Sequence, residues 1–144
     1  MSVSAAELLD VALTIAQEAG ELVARRRSEG VTIAATKSTS IDVVTLADRE
    51  CEEFVKARLA ELRPEDGFFG EEGGDTTGTS GLTWVVDPID GTVNYLYGIP
   101  QYAVSIAVVE GVADPASWTQ LAGVVNNPVI DEMFFASAGG GAFL

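Results

Sequence analysis

The N-terminal part of the chain carries apolar residues at the three- and four-residue spacing of helices. Ser4 and Glu7 form the pattern of a capping box. The periodic apolar positions behind them are Leu8, Ala12, Ile15, Ala19 and Leu22. This pattern predicts a long amphipathic helix over residues 5–28, which Gly30 ends.

A second capping pattern lies at residues 45–48. The positions at helical spacing after it are Cys51, Phe54, Val55, Arg58, Leu59 and Leu62. They predict a second helix that Pro64 stops. Residues 31–44, between the two helices, are expected to form turns and short extended pieces.

The rest of the chain reads as strands separated by glycine-rich and asparagine-rich turns. Strands are predicted over residues 67–70, 82–87, 102–111, 120–127 and 132–139. The last residues, after a run of three glycines, resemble the start of one more strand, so we expect the chain to be part of a longer protein. Two helices followed by a run of strands predict an α+β fold, with the helices packed on one face of a largely antiparallel sheet.

The composition excludes several kinds of chemistry. The 144 residues fit one domain. There is no histidine, which removes Ser-His-Asp and Cys-His catalysis and every histidine metal site. Cys51 is the single cysteine, so no disulfide forms within the chain, and its helical context predicts a buried core thiol.

The net charge of −14 argues against a surface for nucleic acid or for an anionic membrane. It does not exclude an anionic substrate, because bound cations can invert the local field. The N-terminus lacks the basic region of a signal peptide, and no apolar run is long enough to span a bilayer. We therefore expect a soluble, cytoplasmic protein.

The stretch "WVVDPIDGT" places two carboxylates, Asp87 and Asp90, three residues apart where a strand is predicted to end. Pro88 fixes its own φ and favours extended geometry at Asp87. The turn can then direct both carboxylates and the Ile89 carbonyl to one point, as a hard cation such as Mg²⁺ requires. The alternative is an ordinary surface turn, because Asp-Pro and Asp-Gly are common turn dipeptides.

Glu71 and Glu72 also follow a predicted strand, and by themselves they would be read as part of a solvated loop. If the two strands are neighbours, their ends bring Glu71 beside Asp87. Several carboxylates at one end of a sheet are hard to explain without a metal, because they would otherwise repel one another.

Other candidate residues have simpler explanations that remain open. Asp48 lies in the first turn of a predicted helix, where an acid is favourable without any function. Thr92 could cap a helix, which would place the N–H groups of Gly91 and Thr92 where an anion can dock. Lys37, taken alone, is most simply a surface charge.

Together, the segments "VVTLADRE", "FFGEEGG", "WVVDPIDGTVNYLYGIPQYAVSIAVVEG" and "GAF" resemble the N-terminal part of the inositol monophosphatase family. Its members are Mg²⁺-dependent, lithium-sensitive sugar-phosphate phosphatases, related in fold to fructose-1,6-bisphosphatase. The resemblance covers nearly the whole chain and is closest to the bacterial branch.

The resemblance implies a metal site for two or three Mg²⁺ ions. Glu71, Asp87 and the Ile89 carbonyl would hold one ion, and Asp87 and Asp90 a second. Glu71 would also contribute to a weaker third site.

The resemblance also implies roles around the metals. Asp48 and Thr92, with Glu71, would orient and activate the attacking water. The N–H groups of Gly91 and Thr92 would hold the phosphate. Supporting positions would be Lys37 and Glu72.

The family has a second half, whose W-D motif completes the second metal site and which supplies much of the sugar pocket. This chain contains neither feature. We therefore treat residues 1–144 as an N-terminal metal-binding domain. We expect these residues alone to bind Mg²⁺ weakly and to turn over slowly or not at all.

The leading hypothesis is hydrolysis of inositol 1-phosphate, a small phosphorylated polyol, by a homodimer. Alternatives within the class are fructose-1,6-bisphosphate, histidinol phosphate and 3′-phosphoadenosine nucleotides. Alternatives outside it are a non-catalytic protein that contacts another macromolecule through this fold, and a passive cation-binding domain.

Overall fold

The computed structural model describes residues 3–34, 40–111 and 114–144. Two long helices, α1 (Ala5–Ala34) and α2 (Ser40–Leu62), come first. The strands are β1 (Gly67–Gly70), β2 (Leu82–Asp90), β3 (Ala103–Glu110), β4 (Thr119–Asn127), β5 (Glu132–Ser137) and β6 (Gly141–Phe143). A short helix, α3 (Thr92–Tyr97), lies between β2 and β3.

Within the described ranges the strands form one sheet in chain order, β1 to β6. β1 pairs with β2 in parallel, and every other neighbouring pair is antiparallel. The parallel pair is possible because a 73–81 loop lets the chain return to the start of β2 instead of reversing in a hairpin. The α+β prediction, with a largely antiparallel sheet, is confirmed.

The two helices cover one face of this sheet. α1 packs against β3 and β4, and α2 packs against β2 and against α1. Alternate residues of β3 face them, so Val104, Ile106 and Val108 have no exposed surface. Trp84 and Cys51 are also fully buried, as the sequence predicted for the thiol.

The N-terminus of α1 has the predicted capping box. The Ser4 N–H donates to Glu7 Oε2 at 3.0 Å, and the Glu7 N–H donates to Ser4 Oγ at 3.1 Å. These two bonds satisfy donors that the first helical turn would otherwise leave unpaired.

The predicted C-terminal end of α1 and the predicted N-terminal end of α2 are wrong. α1 continues through Gly30 to Ala34, and α2 begins at Ser40, before the capping pattern at residues 45–48. Residues 31–34 and 40–44 are therefore helical where turns and extended pieces were predicted. A helical glycine is only about 1 kcal/mol less favourable than alanine, which a long packed helix tolerates.

A buried carboxylate joins the end of α2 to the start of β2. Asp66, whose side chain is 1% exposed, accepts hydrogen bonds from Arg63 Nε at 2.8 Å and Arg63 Nη2 at 3.0 Å. It also accepts from Ser80 Oγ at 2.7 Å and from Trp84 Nε1 at 2.9 Å. Four charge-assisted bonds on one group fix where β2 begins, and hence the register of the residues that follow.

No helix in the described ranges combines the length and the apolar character needed to cross a membrane.

Candidate active site

β2 continues three residues beyond its predicted end, as far as Asp90. Its Asp87–Asp90 segment contains a β-bulge. Asp87 pairs with Ser105 and Asp90 pairs with Ala103, so β2 uses one residue more than β3 over this interval. Ser105 and Ala103 are two apart and share a face of the sheet, and cross-strand partners share a face. The bulge therefore places both carboxylates on one face, where an unbroken strand would put residues three apart on opposite faces.

The end of β1 brings a third carboxylate to the same place. β1 is parallel to β2, and its last residue, Gly70, pairs with Val86. Glu71 therefore follows β1 at the level of Asp87, and its carboxyl lies close enough to raise the pKa of Asp87. The two strands are thus neighbours, which was the condition for Glu71 to lie beside Asp87.

Helix α2 contributes Asp48, which is 6% exposed. Burial raises the pKa of Asp48 to about 7, and the nearby charges of Glu72, Glu71 and Glu52 add to the rise. Such a pKa means that the folded protein holds this carboxylate at an electrostatic cost near neutral pH.

Asp87 is perturbed in the same direction. Burial raises its pKa most, followed by its interaction with the Glu71 carboxyl and by the charges of Asp90 and Asp48. Among the residues that the structure describes, Asp48 Oδ1 and Asp87 Oδ1 are buried oxygens without a hydrogen-bond partner. Buried oxygens of this kind are rare in native proteins, and a bound ion is one of the groups that would satisfy them.

The turn after β2 starts α3 at a left-handed glycine. Gly91 has φ 87° and ψ 44°, and a side chain here would press on the Gln101 carbonyl. Gly91 is therefore the cap residue, and Thr92 is the first helical residue instead of the predicted cap. The Thr92 hydroxyl donates to the Ile89 carbonyl at 3.2 Å, which joins these two candidate residues across the turn.

Contacts with α1 hold α3 in place. The Tyr95 hydroxyl donates to the Val23 carbonyl at 3.0 Å, and Arg27 Nε donates to the Tyr95 carbonyl at 2.7 Å. Asn94 Nδ2 donates to the Gln101 carbonyl at 2.8 Å. The N–H groups of Gly91 and Thr92 are therefore carried by a short helix that is fixed at several points.

One residue that the sequence analysis missed contacts this site. Glu52 is 5% exposed, and its Oε1 accepts the Glu72 N–H at 2.9 Å. It lies four residues after Asp48 and so on the same face of α2. An acid at that spacing, within a face that is otherwise buried, is the signal that could have revealed it.

The structure brings together Asp48, Glu71, Glu72, Asp87 and Asp90 around one end of the β1–β2 pair, with Ile89, Gly91 and Thr92 in the adjoining turn. Lys37 lies outside the described residues.

The donor set fits a hard cation in its chemistry but does not form a closed cage. In the part of the chain that the structure describes, no three Asp, Glu, Cys or His side chains converge closely enough to hold a metal ion. The site nevertheless offers carboxylate and carbonyl oxygens, two of them buried and unpartnered, and carboxyls with raised pKa values. A cation would relieve each of these conditions, so we judge that the residues fit Mg²⁺ through their donor chemistry.

Comparison with known proteins gives consistent matches over the whole site. The model of the inositol monophosphatase family matches residues 4–144. The inositol-1-monophosphatase of Rhizobium meliloti (strain 1021) is 39% identical over 138 residues, which are 95% of this chain and 50% of the relative. That of Mycobacterium leprae (strain TN) is 44% identical over an alignment 151 positions long, which covers 94% of this chain and 50% of the relative.

Solved structures agree with these sequence matches. Mycobacterium tuberculosis SuhB superposes with a TM-score of 0.78 at 38% identity, covering 98% of this chain and 48% of that one. Inositol monophosphatase II from Staphylococcus aureus MSSA476 superposes with a TM-score of 0.77 at 30% identity, covering 94% of this chain and 47% of that one. The chain thus spans about half the length of the relatives it matches.

Proposed function

The chain belongs to the inositol monophosphatase family, and we propose that it supplies the metal-binding part of a phosphatase acting on a small polyol. The proposed reaction is Mg²⁺-dependent hydrolysis of inositol 1-phosphate to inositol and phosphate. The observation that carries it is the bulge that puts Asp87 and Asp90 on one face beside Glu71, with two buried carboxylate oxygens that have no partner among the described residues. The names of the bacterial relatives support the substrate class.

We assign the metal ligands on donor type and position. Glu71, Asp87 and the Ile89 carbonyl would hold one Mg²⁺, and Asp87 and Asp90 a second. Glu71 would also contribute to a weaker third site. When bound, Mg²⁺ would neutralise the phosphate and lower the pKa of a water molecule. The side-chain and backbone groups of the chain itself would orient the water and bind the phosphate.

The attacking water would be oriented by Asp48, Thr92 and Glu71. Asp48 is suited to this role because its buried Oδ1 has no partner among the described residues and can accept a hydrogen bond from the water. The Thr92 hydroxyl is fixed by its bond to the Ile89 carbonyl, which limits its rotation.

The phosphate would be held by the N–H groups of Gly91 and Thr92. These groups start α3, where backbone N–H groups have no partner within the helix. Glu72 and Lys37 would support the site without ligating the metal directly. From the family we carry over three further properties of the complete enzyme: inhibition by lithium, a homodimeric state and a cytoplasmic location.

A substrate panel tests the proposal. The complete gene product would be assayed for phosphate release from inositol 1-phosphate, fructose-1,6-bisphosphate, histidinol phosphate and a 3′-phosphoadenosine nucleotide, with Mg²⁺ or with EDTA. We expect release from inositol 1-phosphate that requires Mg²⁺ and exceeds release from the other three. Equal rates in EDTA would contradict the metal assignment, and a preference for another substrate would contradict the substrate.

A further inference from the structure

Two side chains of α2 are tied to the turn that carries Glu71 and Glu72. Glu52 Oε1 accepts the Glu72 N–H at 2.9 Å. One helical turn later, Lys56 Nζ donates to the Gly74 carbonyl. The turn is therefore held against α2 at two points, on either side of Gly73.

Gly70, on the other side of Glu71, is also in contact with Glu52. A Cβ built on Gly70 would overlap the Glu52 carboxylate, so this oxygen lies directly against the last residue of β1. The Gly70 N–H donates to Asp75 Oδ1 at 3.0 Å, which closes the turn on itself. Glu71 thus lies between two residues that Glu52 contacts, and its own carboxyl reaches Asp87.

We propose that Glu52 is a positioning residue, which holds Glu71 towards Asp87 by accepting the Glu72 N–H. We assign it no ligand role, because the contact that the structure shows for its Oε1 is with the backbone of the turn. The inference rests on the proposed function, since it treats Glu71 as a metal ligand.

Stability alone does not explain a carboxylate at this position. Glu52 is 5% exposed, and its negative charge faces Asp48, which is already near Glu71 and Glu72. Adding a buried charge to a group of like charges is unfavourable for the folded state. The hydrogen bond to the turn is the contact that gives the side chain a role.

Two conservative variants separate the reach of the side chain from its charge. Glu52→Gln keeps an acceptor oxygen at the same distance and removes the charge. Glu52→Asp keeps the charge and withdraws the acceptor by one methylene. Matched controls are Glu53→Gln and Glu53→Asp, because Glu53 is the neighbouring acid and faces solvent.

The measurement is the Mg²⁺ dissociation constant of the complete protein by isothermal titration calorimetry, well below the unfolding temperature of each variant. We expect Glu52→Asp to weaken Mg²⁺ binding about tenfold, as loss of a group that orients a ligand does. Glu52→Gln should stay within about twofold of wild type, and both Glu53 variants should bind as wild type does. A purely structural role would lower the unfolding temperature in EDTA and leave the Mg²⁺ affinity of the folded protein unchanged.

The outcomes distinguish this inference from the proposed function. If wild type binds no Mg²⁺, or if Asp87→Asn binds it equally well, the proposed metal site is wrong. If Asp87→Asn loses binding while Glu52→Asp keeps it, the metal site stands and the positioning role of Glu52 is wrong. A loss in Glu52→Gln with none in Glu52→Asp would overturn positioning in favour of a charge effect.

Discussion

Replacing Asp48 by asparagine should stabilise the metal-free protein above neutral pH, although it removes a residue of the proposed site. Asp48 is 6% exposed, faces the charges of Glu72, Glu71 and Glu52, and has an unpartnered Oδ1 among the described residues. Asparagine has nearly the same shape and carries no charge. It should therefore relieve the electrostatic strain without opening a cavity.

The magnitude and the pH window follow from the raised pKa. The folded state binds the Asp48 proton more tightly than the unfolded state, with a pKa raised from 3.8 to about 7. Stability is therefore lost as the pH rises between these two values, and the loss is complete above the folded pKa. The shift corresponds to about 4 kcal/mol. Water entry and side-chain rotation relax buried charges, so we expect about half of it, about 2 kcal/mol.

The assay is urea unfolding of wild type and Asp48→Asn in EDTA, at several values between about pH 4 and about pH 8. The difference in the free energy of unfolding should be small at the acidic end, grow in favour of the variant up to neutral pH, and then level off. Glu53→Gln, on the solvent face of the same helix, is the control and should show no such growth. A variant no more stable than wild type at about pH 8 would refute the reasoning, because it would mean that a partner compensates the buried charge.

Three further predictions concern the scaffold. Asp66→Ala should lower the free energy of unfolding in urea by about 3 kcal/mol, because it leaves the Trp84 indole N–H and a partly buried guanidinium without their acceptor. Gly20→Ala should destabilise the protein by about 1 kcal/mol in the same assay, although alanine favours helices, because its Cβ would overlap the buried amide of Asn126. A more stable Gly20→Ala variant would contradict the close packing of α1 on β4. Burial raises the pKa of the Cys51 thiol to about 12, so a thiol reagent at about pH 8 should label it in urea and leave it unmodified in the native protein. Rapid native labelling would show that this part of the core opens.

The sequence predicted the elements that have clear local signals. β1 has its predicted bounds because two phenylalanines lie between glycines. The strands β3, β4 and β5 were found to within two residues at each end from their apolar patterns. The facing ends of α1 and α2 were missed because both helices continue past local signals, a glycine in α1 and a capping pattern in α2, that do not by themselves end or begin a helix. α3 was anticipated only as an alternative, with Thr92 as its cap, because six residues carry too little periodicity to predict a helix.

The sequence indicated which acidic residues form the site, but it did not indicate how the backbone arranges them. Two strands that each end in carboxylates predicted that Glu71 and Asp87 would meet, and the parallel β1–β2 pair confirms it. The bulge that brings Asp90 to the same face as Asp87 leaves no pattern in the amino-acid sequence. It is defined by how the residues of β2 pair with those of β3. Glu52 meets a backbone N–H twenty residues away, a contact that only the folded chain reveals. The family-derived roles of these residues stay predictions.

The central claim is that Asp87 and its neighbours hold the Mg²⁺ that a phosphatase needs. The most direct test is phosphate release from inositol 1-phosphate by the complete gene product and by its Asp87→Asn variant, each with and without Mg²⁺. We predict release that requires Mg²⁺ in wild type and falls to the level of the enzyme-free blank in the variant, while circular dichroism shows that the variant remains folded. Release by folded Asp87→Asn at the wild-type rate, or no Mg²⁺-dependent release by wild type, would contradict the account.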